Sequence, residues 1–135
     1  MANHLPKAAL VGCALFWATV GHADAGYDTC METADTSYDM SMCGGKWRER
    51  SEVALAAAWR AAMDAVGGKG SEAGKELLSE QRAWIKFKDL SCKFYYAKEF
   101  GSMHRSIFAP QCHNEIIEAR TKQLNDIATG LNENG

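Results

Sequence analysis

Residues 77 to 92 constrain the fold of this chain more than any other stretch. Leu77-Leu78-Ser79-Glu80-Gln81-Arg82-Ala83-Trp84-Ile85-Lys86-Phe87-Lys88-Asp89-Leu90-Ser91-Cys92 contains no Gly or Pro and consists mostly of good helix formers, so it predicts unbroken helix. At helical spacing Leu77, Leu78, Gln81, Trp84, Ile85, Lys88 and Cys92 share one broad face, and Arg82 and Asp89 fall two turns apart on a neighbouring line. An ordinary amphipathic helix keeps its charges opposite the apolar stripe. Here a Trp, a Cys and several polar groups crowd toward it. Either the polar groups pair inside the fold or some are presented to a partner.

The rest of the chain offers the same helix more companions of its own kind. The helix is expected to run from Glu72 to Phe100, with Ser71 as N-cap and Gly101-Ser102 as its stop. Before it, Lys46 to Val66 repeats Ser51, Ala54, Leu55, Ala58, Trp59, Ala62 and Val66 at three and four, and the alanines admit a close neighbour. Trp47 and Trp59 read as core residues. Gly67-Gly68-Lys69-Gly70 ends that helix. A third helix is expected from Cys112 to about Thr129, with Ile116, Ile117, Leu124 and Ile127 as its apolar line and Arg120 on the same line. Asp89 is expected to be partly buried and to pair with Arg120 across the interface or with Arg82, since guanidinium and carboxylate satisfy each other bidentately. Gln81 is expected to bond a loop carbonyl. Leu131 to Gly135 reads as a frayed tail, and Gly101 to Gln111 as a loop with Pro110 just before the third helix. Tyr27 to Met42 predicts a short helix near Thr29–Ala34, capped by Asp28 or Thr29, and then a turn into Cys43 that Gly44-Gly45 terminates. No strand alternation appears. The expectation is an all-α domain of three long helices plus a short N-terminal helical segment.

The N-terminus has the layout of an export signal. One Lys precedes an apolar run from Ala8 to Val20, and both Gly21-His22-Ala23 and Ala23-Asp24-Ala25 offer small-x-small cleavage sites. The run falls short of the roughly 20 residues a bilayer span needs. Residues 1–25 therefore read as signal peptide and 26–135 as the mature domain, periplasmic or secreted. Leu10-Val11-Gly12-Cys13 resembles a lipidation box, but anchoring at Cys13 would leave only a short apolar segment before it. Cys30, Cys43, Cys92 and Cys112 then remain in an exported chain, which reads as two disulfides with three possible pairings. Sequence order favours Cys30–Cys43 and Cys92–Cys112. Each closes a loop of roughly 15 to 20 residues, worth about 3 kcal/mol on the chain-entropy account. No C-x-x-C pair supports a metal reading, and no metal ligand is expected.

Charge and motif content restrict function. A net charge of −2 excludes a strong electrostatic pull toward nucleic acid. Glu80, Asp89, Glu99, Glu115 and Glu118 are carboxylates without a catalytic motif around them. Ser102 or Ser106 with His104 or His113 lacks the nucleophile elbow of a hydrolase. His104 and His113 flank a proline with no third ligand, and read as surface side chains. No catalytic residue and no cofactor is expected.

Gln81-Arg82-Ala83-Trp84-Ile85-x-Phe87-Lys88-Asp89-x-x-Cys92, followed by Gly101-Ser102-Met103, Cys112 and Arg120-Thr121-x-x-Leu124, resembles the signature of the LprI-type lysozyme inhibitors, small exported bacterial proteins. Upstream, Cys30-x-x-x-Ala34 and Met40-x-x-Cys43 match that family's N-terminal cysteine pair. The first long helix departs from the family pattern: Ser51 or Glu52, Leu55-Ala56 and Trp59 stand where an Asp, a Leu-Asn and a Tyr are usual, and Lys88 replaces the commoner Arg. The resemblance implies a lysozyme-like muramidase as protein partner, bound stoichiometrically without turnover. An inhibitor must fill a sugar-binding groove and neutralise its carboxylates, which favours polar or cationic tips on a staked element. Ser102, Met103, His104 and Arg105, beside the Cys92–Cys112 bridge, are the candidate partner-binding residues. The alternative is an envelope module that binds a protein or a cell-wall fragment and inhibits nothing.

Overall fold

The computed structural model describes residues 24–133, all helices and connections, with no strand among the described residues. The leader expected over residues 1–25 lies, up to residue 23, outside the described residues, and so does Cys13. Four helices follow one another: α1 (Ala25–Met31), α2 (Ser37–Ala65), α3 (Glu72–Leu90) and α4 (Ala109–Asn132). A 3₁₀ turn (Lys93–Tyr96) and a π-helical turn (His104–Phe108) sit between α3 and α4. Both expected disulfides are present, Cys30–Cys43 and Cys92–Cys112, with Cα atoms 5.6 and 6.0 Å apart.

The N-terminal flap is more helical than the sequence indicated. Asp24 caps α1, ahead of the expected Asp28 or Thr29, and its carboxylate also pairs with Arg50 on α2. That guanidinium holds the Asp24 carboxyl below the usual carboxylate range. α2 begins nine residues ahead of the expected Lys46, at Ser37, because Thr36 and Asp39 form a capping box. The Asp39 N–H donates to Thr36 Oγ1 at 3.1 Å and the Thr36 N–H donates to Asp39 Oδ2 at 3.0 Å. Bonds from Thr36 keep the Asp39 carboxyl low as well.

Gly44 and Gly45 do not end the flap; they lie inside α2. Their glycine identity answers to packing. A Cβ on Gly44 would stand 2.5 Å from the Pro110 Cβ, so its absence lets α2 and the start of α4 touch. A Cβ on Gly45 would meet nothing within 4 Å. Opposite outcomes are therefore expected. Gly44→Ala should destabilise by about 1–3 kcal/mol through overpacking, and Gly45→Ala should stabilise by about 0.5–1 kcal/mol through helix propensity. Urea denaturation of both variants tests this, and a matching sign would contradict the close approach.

Two apolar clusters hold the helices. In the flap, Tyr27, Cys43 and Trp47 are buried together, the two rings 4.8 Å apart, and burial pushes the Tyr27 phenol up. At the other end Ala58, Ala62, Met63, Leu77 and Leu124 meet where α2, α3 and α4 converge, with Leu55, Trp59, Val66 and Ile127 against them. Gly67 and Gly68 take positive φ values of 88° and 75° to end α2, and Ser71 caps α3 as expected.

α3 stops at Leu90, ten residues short of the expected Phe100. Ser91 turns extended and Cys92 adopts a left-handed conformation with φ 66°. A non-glycine residue there is strained by on the order of 1–3 kcal/mol, and the bridge to Cys112 holds it in place. His113 Nε2 donates to the Ser91 carbonyl at 3.0 Å, occupying an acceptor that the broken helix left free. The expected loop from Gly101 to Gln111 is also absent. Residues 102 and 103 are helical and lead through the π turn directly into α4, which runs past Thr129 to Asn132. Pro110 has no N–H to give Ser106, and its ring crowds the preceding turn. The wider π turn, in which the Ala109 N–H reaches back to the His104 carbonyl, accommodates it without ending the helix.

Candidate functional site

The polar groups of the 77–92 stretch divide between interior and surface. Arg120 is 3 % exposed. Its Nε donates to Gln81 Oε1 at 2.9 Å, and its Nη1 to Glu80 Oε1 at 2.5 Å and Gln123 Oε1 at 2.6 Å. The guanidinium carbon stands 6.0 Å from the Trp84 ring centre, a cation–π distance. The expected Arg120–Asp89 pair is not formed, and Gln81 serves Arg120 instead of a loop carbonyl. Asp89 sits two and a half turns beyond Glu80, on the exposed side, and pairs with Lys88 at 3.2 Å. Arg82 is exposed and Lys88 half-buried. This set orients α3 on α4.

The stapled end of the molecule has a different character. Phe94, Tyr95, Phe100, His104 and Phe108 form one ring cluster, with Phe100 and His104 centres 4.8 Å apart and His104 and Phe108 5.4 Å apart. Met103 is 58 % exposed, and Phe94, Tyr96 and Phe108 also present much of their surface to solvent. Leu90 and Phe87, at the end of α3, are exposed as well. Lys93, Lys98 and Arg105 are exposed in the same stretch. Arg105 is held by a bond from its Nη2 to the Phe100 carbonyl at 3.3 Å. Of the four candidate contact residues, Ser102, Met103 and Arg105 are exposed and His104 is half-buried in the ring cluster. They lie on a helix start and a π turn, a stiffer platform than the loop anticipated.

Beside this cluster, between α2 and α4, is a cleft of about 310 Å³ whose lining includes Ser41, Gly44, Gly45, Arg48, Tyr96, Arg105, Pro110, His113 and Asn114. The sequence reading missed it. Arg48, Tyr96 and Asn114 carry no motif, and they come to Arg105 from three separate elements of the chain. A second groove, of about 490 Å³ between α2 and α4, has Asp24, Arg50, Glu118 and Lys122 in its lining, acids and bases together. Among the described residues no group of three His, Cys, Asp or Glu side chains could hold a metal ion.

Residues 30–124 match the family model described as Lysozyme inhibitor LprI. No curated protein and no solved structure matches the chain.

Proposed function

The chain belongs to the LprI lysozyme inhibitor family, and from that premise we propose that it inhibits a lysozyme-like muramidase by stoichiometric protein–protein contact in the bacterial envelope. The family match over residues 30–124 carries this reading. It is supported by the exposed apolar and cationic surface at the stapled end. Protein interfaces draw most of their affinity from a few aromatic, Met and Arg anchors. Met103 and Arg105, exposed on a rigid turn braced by Cys92–Cys112, are anchors of that kind, with Ser102 and His104 beside them. A rigid platform loses little entropy on docking, and its cations complement a cleft whose working groups are carboxylates.

Export fits the two disulfides, which persist in oxidising compartments. Among the described residues no helix is long and apolar enough to cross a membrane. Cleavage after Ala23 would retain Asp24, which caps α1 and pairs with Arg50, whereas cleavage after Ala25 would remove both contacts. We place the junction after Ala23, and N-terminal sequencing of the exported protein reads it directly.

The test is a cell-wall lysis assay with the mature protein titrated against c-type, g-type and i-type lysozymes. Saturable, equimolar inhibition of at least one is expected, and no inhibition of any would reject the function. Met103→Ala and Arg105→Ala should each raise the half-inhibitory concentration about thirtyfold, the ~2 kcal/mol of an interface hot spot. Melting temperature should hold, since both side chains are exposed. Unchanged inhibition would move the contact to another face.

A further inference from the structure

Between Gln81 and Ser106 the chain buries a single residue, Cys92. In the second half of α3 only Trp84 and Lys88 are half-buried, and everything else from Arg82 to Leu90 is exposed. The 3₁₀ turn beyond has no buried residue. The apolar cluster that α3 joins takes Leu77 and nothing further along that helix. A span with so little burial has low local stability from packing alone. Its ties to the rest of the molecule are few. Cys92 is bonded to Cys112 of α4, His113 donates to the Ser91 carbonyl at 3.0 Å, Arg120 stands over Trp84, and the Tyr95 ring lies 6.1 Å from that of Phe108. The first of these is covalent. It holds Cys92 at φ 66°, the one positive φ among the described non-glycine residues. Freed from the bond, Cys92 lowers its energy by leaving that conformation, which undoes the turn at the end of α3.

The other bridge is placed differently. Cys43 is buried with Tyr27 and Trp47, and Cys30 packs against that cluster. Without the Cys30–Cys43 bond, α1 keeps the Tyr27–Trp47 contact and the Asp24–Arg50 pair. We propose that Cys92–Cys112 is a redox latch: a dithiol reductant opens residues 82–105 while the rest of the fold stands, and so switches off the surface that carries Ser102, Met103 and Arg105. The switching-off rests on the lysozyme contact proposed above; the opening does not. In the exchange, a reductant thiolate attacks Cys112, the more exposed of the two residues, and Cys92 leaves as thiolate and takes up a proton. The reductant's second thiol then displaces Cys112 from the mixed disulfide. Two electrons and two protons reach the protein, and the reductant becomes a disulfide.

Differential alkylation of the oxidised mature protein under limiting dithiothreitol reads the order of opening. Cys92 and Cys112 should be labelled at least about tenfold faster than Cys30 and Cys43. Hydrogen exchange reads its extent. In Cys92→Ser with Cys112→Ser, amides of residues 86–100 should exchange at least about tenfold faster than in the native protein, while those of α2 and of α4 from Ile117 to Ala128 should keep their protection. Cys30→Ser with Cys43→Ser should leave residues 86–100 unchanged. Against a lysozyme that the oxidised protein inhibits, the variant lacking Cys92 and Cys112 should raise the half-inhibitory concentration at least about tenfold. Equal or reversed labelling, protection lost throughout the molecule, or unchanged exchange over 86–100 would overturn the latch. Selective opening with undiminished inhibition would overturn the switch. If the oxidised protein inhibits no lysozyme, the function above fails, and labelling and exchange still decide the latch.

Discussion

Replacing Trp47 with alanine is expected to remove about 3–5 kcal/mol of stability, the largest loss from any single truncation in the flap. Trp47 is 1 % exposed and is among the largest fully buried side chains. It packs at a tilt on Tyr27 from α1, lies against the Cys30–Cys43 bridge, and donates its Nε1–H to Glu118 of α4 at 2.6 Å. One residue thus joins three elements, and the cavity left by alanine cannot collapse while the disulfide fixes its wall. At about 4 °C per kcal/mol for a domain of this size, the melting temperature should fall by roughly 12–20 °C. Trp47→Phe separates apolar area from the hydrogen bond. It keeps most of the ring contact and loses the indole donor, so its cost should be about 1–2 kcal/mol. Guanidinium denaturation of both variants checks the ordering. A loss under about 1 kcal/mol for Trp47→Ala would mean that the flap does not depend on this ring.

The helical architecture was legible because its signals are local. Alanine and leucine spacing announced α2 and α3, Ser71 announced the α3 cap, and Ile117 and Leu124 announced the buried line of α4. Cysteine order announced both bridges. The boundaries went wrong where a distant contact overrode a local rule. Gly44-Gly45 reads as a stop until Pro110, sixty-six positions further along the chain, packs against Gly44. Pro110 reads as a helix start until the π turn absorbs its missing N–H. Cys92 reads as mid-helix until the bridge to Cys112 holds it left-handed.

The candidate site was legible only in part, for the same reason. Arg105 and Met103 stand out in sequence as exposed tips near a cysteine, and the structure leaves both at the surface. Asn114 does not stand out. A polar residue on a helix is ordinary until burial removes every donor from its Oδ1. Its neighbours come from α2 as well as from its own helix, and α2 is some seventy residues away in the chain.

The buried guanidinium supplies the second large effect. Arg120→Ala should cost about 3 kcal/mol, toward the lower end of the range for breaking a buried polar pair. The reason for the lower end is Glu80, whose side chain is 55 % exposed and can return to water when its partner goes. Gln81 cannot: at 8 % exposure its Oε1 would lose the Arg120 Nε–H, and Trp84 would lose the cation above its ring. Because the penalty lies mainly in the abandoned partner, removing both should recover it. Arg120→Met alone is expected to cost about 2–3 kcal/mol, whereas Arg120→Met with Gln81→Leu should come within about 1 kcal/mol of the native protein or exceed it. The double-mutant cycle should therefore return a coupling of at least about 2 kcal/mol. Asp89→Ala is the counter-test, since the residue that sequence pairs with Arg120 is 59 % exposed on its side chain and bonded to Lys88. Its loss should change stability by less than about 0.5 kcal/mol. A large Asp89 effect with a small Arg120–Gln81 coupling would reverse the register of α3 on α4, and with it the placement of every polar group on that helix.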